Sequence, residues 1–403
     1  MKFVFHILPA YPATPEERQR LAPIAHRTDK TQQMLDEMLD ITQHCEDIGF
    51  DAVTFSEHHF YTEGCEAGAT PTPHLIRLLL NTKRIKIGPL GFVLPTWDPI
   101  RLALDVAWAD QMSKGRALCG LARGVFPRWV NVLGQHYGVE PGGVGASADE
   151  HNREVFEELF QVIKLAWKEE PFSFKGKYYQ VPFPAEGHYW APHEATNRYG
   201  AKGEMEGEML RKLSAVPKPY QKPHPEVWQA FTASERTIRW DAREGVRPMV
   251  FAPFPDATLK VYRAYQEEAA NFGRTLSLGE NMGTCQFIYI ANERAEARRL
   301  MDAGSYFVFR NFHSKVDKNI PPTIDTLLDL KMAVAGTVDD VRRRVAEIQE
   351  TLNPEYMLWL GDQGYLTRDE MKRELELFAT KVMPEFHERH EQPAPAPEAT
   401  MAK

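Results

Sequence analysis

Four short segments of this chain carry side chains able to move protons or hold an anion. Glu57-His58-His59-Phe60 sets two imidazoles beside a carboxylate. Imidazole titrates near neutrality, so the set suits general acid–base work, with His58, His59 and Glu57 as the candidate catalytic groups. A buried, hydrogen-bonded histidine pair is the plainer alternative. A metal site is a third, but no other His or acidic residue stands at a recognisable ligand spacing, and no metal is expected. In Leu121-Ala122-Arg123-Gly124, a guanidinium followed by glycine offers a grip for phosphate, although an arginine in such a place also pairs with carboxylates. Ala230-Phe231-Thr232-Ala233-Ser234 leads into a helical pattern. The Thr232 and Ser234 hydroxyls, with the free N–H groups of a helix start, favour an anion there, or simply cap the helix. Finally, Leu90-Gly91 begins a run ending in Leu94-Pro95-Thr96. Gly91 either lets a planar ligand come close or turns a tight corner.

These segments fall where predicted strands end. Lys2–Leu8, Asp51–Glu57, Arg84–Leu94, Arg116–Arg123, Glu226–Phe231, Arg247–Ala252, Asn281–Ala291 and Glu355–Gly361 read as strands. Helical patterns alternate with them. In Thr31–Ile48, Met34, Met38, Ile41, Cys45 and Ile48 recur at steps of three or four before Gly49. The others are Pro71–Asn81, Ile100–Met112, Asp149–Lys168, a helix ending at Arg243, Asp256–Phe272, Glu293–Arg310, Val338–Leu352 and Arg368–Glu388. Eight strand–helix units are the count of a closed (β/α)8 TIM barrel, whose active groups sit at the C-terminal strand ends. An open doubly wound sheet would call for a Gly-rich first turn, and Pro9-Ala10-Tyr11-Pro12 has none. The rhythm breaks at Phe172–Val181, which reads as a hairpin, and at 182–225, a long polar insertion before the fifth strand. Loops of that length are commonly lids or binding loops, so 182–225 is expected to be an active-site lid, with a partner-facing surface as the alternative. The barrel with its insertion is expected to span 1–390, and 391–403, rich in Pro and Ala, to be a disordered tail.

Composition narrows the functional classes. With 48 Lys and Arg against 56 Asp and Glu, the net charge of −8 gives no general attraction to nucleic acid or anionic membranes. No apolar run reaches the roughly 20 residues of a membrane span. Cys45, Cys65, Cys119 and Cys285 form no C-x-x-C pair and read as reduced thiols of a cytoplasmic protein.

Taken together, Glu57–Phe60, Val93-Leu94-Pro95-Thr96, Asp110-Gln111-Met112-Ser113-Lys114-Gly115-Arg116 and Ala122-Arg123-Gly124 resemble, in order and spacing, the bacterial luciferase-like flavin-dependent monooxygenases. Lys381-Val382-Met383-Pro384 fits the same family, so the resemblance runs from about residue 2 to 386. It implies reduced FMN (FAD being the alternative), supplied by a separate NAD(P)H flavin reductase, with O2 and a small organic substrate. Oxygenation would run through a flavin C4a-(hydro)peroxide shielded from water. It implies that His58 is the catalytic histidine, that His59 lies beside the flavin and that Arg123 holds its phosphate. Thr232 and Ser234 lie near the phosphate-binding hydroxyls, and Ala230 and Thr96 count with the cofactor segments. Leu90-Gly91 matches a dipeptide beneath the isoalloxazine ring that is often joined by a cis peptide. A homodimer is implied as well. There are departures: Ala122 stands where luciferase has a reactive cysteine, and Pro127, Arg128 and Trp129 replace acidic residues, which puts light emission and long-chain aldehydes in doubt. Two other readings share the barrel: an F420-dependent oxidoreductase, and a non-catalytic flavin-binding partner subunit. The Glu57–Phe60 motif speaks against the first, and the histidine at 58 against the second.

Overall fold

The computed structural model describes residues 1–143, 145–304, 325–361 and 365–387. Eight parallel strands form the frame: Lys2–Ile7, Ala52–Phe55, Lys86–Pro89, Cys119–Ala122, Val227–Thr232, Arg247–Val250, Gly283–Ile290 and Tyr356–Leu360. The first pairs with the second and the eighth, and pairing continues from neighbour to neighbour round the ring. The third strand is the exception to regularity. Arg84–Leu94 reads as one strand in the sequence, but it breaks at a cis Leu90–Gly91 peptide and resumes as Phe92–Val93. Ile87 bridges Ala117 before the break, while Phe92 and Val93 pair with Leu121 and Ala122 after it, and these contacts complete the ring. One further strand, Ala333–Gly336, pairs outside the ring with the seventh.

The pleat sorts the apolar residues into two cores. Along the first strand, Phe3 and Phe5 join the large outer core under the helices, while Val4 faces the lumen with Leu118, Trp228, Met249 and Tyr356. The same parity turns His6, Thr54 and Ser56 inward. Helix ends follow their chemistry. Thr28–Ile48 stops at Gly49, which takes φ 93° where an L side chain would be strained. Val338–Leu352 and Arg368–Lys381 both begin with a threonine capping box.

Some boundaries differ from the sequence reading. The fourth barrel helix begins at Ala146 rather than Asp149, and Tyr11–Lys30 holds a short helix at Pro15–Arg20. The predicted last helix splits at Val382, because Pro384 can open the new helix Met383–Phe386 but cannot continue the old one. The helix predicted over 293–310 is seen as Arg294–Gly304; its remainder and the 391–403 tail lie outside the described residues.

No residue of the 182–225 insertion lines the cavity described below. The insertion contains the short helix His193–Tyr199 and a small three-stranded antiparallel sheet. Its return is pinned to the flank of the barrel. Gln221 donates from its backbone and side chain to Asp110 (2.8 and 2.7 Å), and Lys218 donates to the Ala166 carbonyl at 3.0 Å. His224 stacks against Trp167 with ring centroids 5.3 Å apart. Asp110, Ala166 and Trp167 lie near the C-terminal ends of their helices, so this return runs along the side of the barrel, while Pro182, Phe183 and Val216 share a groove with Asp98, Ile100 and Arg101 at the start of the helix Pro99–Ser113.

Ion pairs tie the strands together at their N-terminal ends. Glu226 contacts Lys86 at 2.5 Å and Arg247 at 3.2 Å, and Glu355 contacts Lys2 at 2.8 Å. Burial raises the affinity of Glu226 for a proton, but Lys86 and Arg247 outweigh it and hold the carboxyl down at about 2. A folded pKa below the unfolded value of 4.5 contributes stability that is complete above pH 4.5 and is lost as pH falls towards 2. We therefore expect unfolding midpoints in denaturant to drop steadily below pH 4.5, and Glu226→Gln to flatten that slope. An equally steep slope in the variant would remove Glu226 as its source.

Candidate functional site

At the C-terminal strand ends lies a cavity of about 210 Å³. The second strand end contributes Ser56, Glu57 and His58; the third, Leu90, Gly91 and Val93; the fourth, Ala122, Arg123 and Gly124; the fifth, Gln229 through Thr232. A larger groove of about 700 Å³ runs outside the barrel between Arg294–Gly304 and Arg368–Lys381. It meets the end of the seventh strand at Ile290 but lies outside the ring and has no histidine or cysteine on its walls, which leaves the smaller cavity as the candidate site.

His58 is held from behind by Glu66. Its Nδ1 lies 2.7 Å from Glu66 Oε2, and the carboxylate is almost wholly buried. The carboxylate stands off the axis of an ideal ring N–H bond, yet two lone pairs do not rest at that distance. A proton therefore lies between them, which leaves Nε2 for a second partner. Phe126 packs edge-on to the His58 ring at 5.3 Å, and Trp129 stands against both His58 and His59. Below them, His6 bonds Thr54 Oγ1 at 2.9 Å. Burial, aided by the neighbouring His58 and opposed by Glu66, holds His6 down at about 3, so this imidazole is neutral at any working pH.

Glu57 has a different task from the proton transfer its sequence position suggests. One oxygen accepts the Val93 N–H at 2.7 Å, the other accepts from His59 Nε2 at 2.8 Å, and the Trp97 indole N–H reaches both at 3.1 Å. It thus fixes the chain just after the Leu90–Gly91 break and orients His59, which stands off the cavity wall. Thr96 is also off the wall; its hydroxyl donates to the Val93 carbonyl at 2.8 Å. The four thiols are buried and none lines the cavity; burial pushes Cys119 up to about 12.

The other end of the cavity is built for negative charge. Arg123 pairs with Asp149 at 2.9 Å. Arg153, almost buried, approaches the same carboxylate at 3.6 Å and donates to Thr237 Oγ1 at 3.1 Å. Thr232 and Thr237 line the cavity, while Ser234 stands at the start of helix Glu235–Glu244 without a side-chain capping bond and off the wall. The sequence reading missed Glu66, Arg153 and Thr237. Arg153 had a signal: a charged residue on the face that Phe156, Leu159, Phe160 and Ile163 bury. Thr237 continues the hydroxyl run Thr232, Ser234 by one helical step.

The residues fit a phosphorylated planar cofactor. The Arg123 guanidinium and two hydroxyls on the wall, with Arg153 adding its charge from behind Thr237, are a donor set for a phosphate. Towards the histidines, Ser56 Oγ, Gln229 Oε1 and Trp129 Nε1 belong to wall residues, are buried, and have no hydrogen-bond partner among the described residues. Such atoms suit the polar edge of a heteroaromatic ring.

A family profile described as luciferase-like monooxygenase matches residues 19–353. The oxygenase component of the flavin-dependent trigonelline monooxygenase of Acinetobacter baylyi is 24% identical over 88% of this chain and 91% of that protein. The 3,6-diketocamphane 1,6-monooxygenase of Pseudomonas putida is 25% identical over 64% of each chain, so the match spans less than two thirds of that relative. Among solved structures, the oxygenating constituent of the Pseudomonas putida 3,6-diketocamphane monooxygenase, a type II Baeyer–Villiger enzyme in complex with FMN, superposes with TM-score 0.70 at 20% identity, covering 95% of this chain and 98% of that one. An F420-dependent tetrahydromethanopterin reductase from Methanopyrus kandleri shares the fold at TM-score 0.61 and 15% identity, covering 96% and 99%.

Proposed function

The chain belongs to the luciferase-like monooxygenase family, and from that premise we propose that it uses reduced FMN, delivered by a separate reductase, and O2 to place one oxygen atom in a small organic substrate. The observation that carries this reading is the two-ended cavity: His58, backed by Glu66, at one end, and Arg123, Thr232 and Thr237 at the other, with Arg153 behind Thr237. When bound, the flavin supplies the electrons that activate O2. The protein's residues do the rest. Arg123, Thr232 and Thr237 bind the phosphate, and Arg153 orients the Thr237 hydroxyl and adds positive charge behind it. Leu90 and Gly91 give the ring system a flat, close wall. Val93, Phe126, Trp129 and Phe231 exclude water from the reacting end. His58 Nε2 takes or returns the proton that oxygen transfer requires, while Glu66 steadies the ring's positive charge. The reductase partner is supported by the trigonelline relative, whose name marks it as an oxygenase component.

The direct test supplies the protein with a flavin reductase, NADH, FMN and 18O2, and reads a substrate panel for one labelled oxygen per product. A parallel arm offers reduced F420 under argon. Hydride transfer in that arm, with no label incorporated in the first, would assign the barrel to the F420 reading. The phosphate grip has its own test. Losing a charge-assisted contact costs roughly 1.5–3 kcal/mol, so Arg123→Ala should weaken FMN binding by about tenfold or more and leave riboflavin binding unchanged. If the unaltered protein binds FMN and riboflavin alike, no such grip exists.

A further inference from the structure

The guanidinium at the anion end of the cavity is already paired with an anion. Asp149, in the first turn of the helix Ala146–Trp167, places Oδ1 2.9 Å from Arg123 Nη1 and Oδ2 3.6 Å from Arg153 Nη2. Its carboxylate stands just behind the wall: a Cβ built on the wall residue Gly142 would stand 3.7 Å from Oδ1. Arg153 does not depend on it for its place, being held by Thr237 Oγ1, and the Arg123 backbone is fixed through its carbonyl, which accepts from the Asn152 side chain at 3.1 Å. The Asp149 side chain is one-third exposed and so has room to turn outwards into solvent. Asp241, the other carboxyl near this pair, is wholly buried, and burial pushes it well above the usual carboxylate range despite Arg123 and Arg153. It does not take over as counter-ion.

We propose that Asp149 is a built-in competitor for the cofactor's phosphate: it neutralises the two arginines in the free protein and must give way when a phosphorylated flavin binds. The inference rests on the phosphate-grip reading above and deepens it. A dianion arriving beside Arg123 meets a carboxylate in hydrogen-bonding contact with the same guanidinium. Part of the attraction is therefore spent on displacing Asp149 and on the repulsion that remains. The flavin is thereby held weakly enough to exchange, as a co-substrate shuttling from a reductase must be. Asp149 sets how firmly the phosphate is held and does not touch the reacting atoms.

The experiment measures dissociation constants for oxidised FMN and riboflavin by fluorescence quenching, in the unaltered protein and in Asp149→Asn. The substitution keeps the shape of the side chain and removes its charge. FMN binding is expected to tighten by about tenfold, with riboflavin within twofold of its starting value. An Asp149 that merely organised the arginines would give the opposite sign, so FMN binding that is unchanged or weaker in Asp149→Asn overturns the proposal. If FMN is preferred over riboflavin in the unaltered protein and the variant does not improve on it, the phosphate grip stands and this inference alone falls. If the unaltered protein shows no preference, both fall.

Discussion

Replacing His58 by alanine is expected to lower turnover by about a hundredfold or more while flavin affinity stays within about threefold. General acid–base groups typically contribute about 10²–10⁴ in rate. His58 is the one imidazole on the cavity wall among the described residues, since His59 is turned onto Glu57 and His6 lies below the wall, held neutral by its burial. Flavin affinity should survive because the phosphate end is built from other strands and helices. Single-turnover oxidation of bound reduced flavin, followed with and without substrate, separates the two effects. Near-normal product formation in His58→Ala would remove this residue from the proton step.

Gly91→Ala should be at least as severe, through stability rather than rate. A Cβ at Gly91 would stand 2.5 Å from the Leu121 nitrogen and 2.6 and 2.7 Å from the Gly120 carbonyl carbon and oxygen. All three are backbone atoms of the fourth strand, and none can swing aside as a side-chain tip could. The approach is mutual, because a Cβ on Gly120 would meet the Pro89 oxygen at 2.1 Å. Forcing the third and fourth strands apart here disturbs the segment that Glu57 fixes through Val93. Overpacking a rigid wall costs about 3 kcal/mol. Equilibrium unfolding in denaturant measures it, and a loss under ~0.5 kcal/mol would mean that the wall yields.

The alternation that gave the barrel was legible because both faces of each strand are committed. Phe3 and Phe5 pack under helices while Val4 fills the lumen, which is why the strand reads as one apolar run. The break at Leu90–Gly91 was hidden within the apolar run Arg84–Leu94, since a run buried on both sides carries no period to interrupt. His58 and Arg123 could be found because strand ends are where a barrel keeps its chemistry. Glu66 could not. Seven residues separate it from His58, and they meet only because the loop folds back until the His58 N–H reaches the Gly68 carbonyl at 3.2 Å. The partners of Glu57 were hidden for the same reason: Val93 and Trp97 come from another strand end and the turn after it. The small sheet at 188–210 has strands of two residues, too short for any hydrophobic pattern to register.

The side excursion at 182–225 has an architectural consequence. Both its roots are fastened: Phe172 pairs with Leu213 beside one, and Gln221 locks onto Asp110 at the other. Between them the chain carries exposed Tyr189, Trp190 and Tyr199, and no residue of the excursion borders the reaction chamber. The arm can thus lengthen, shorten or change its charge without displacing a wall atom. What the molecule presents to its surroundings and what it encloses can be altered one at a time.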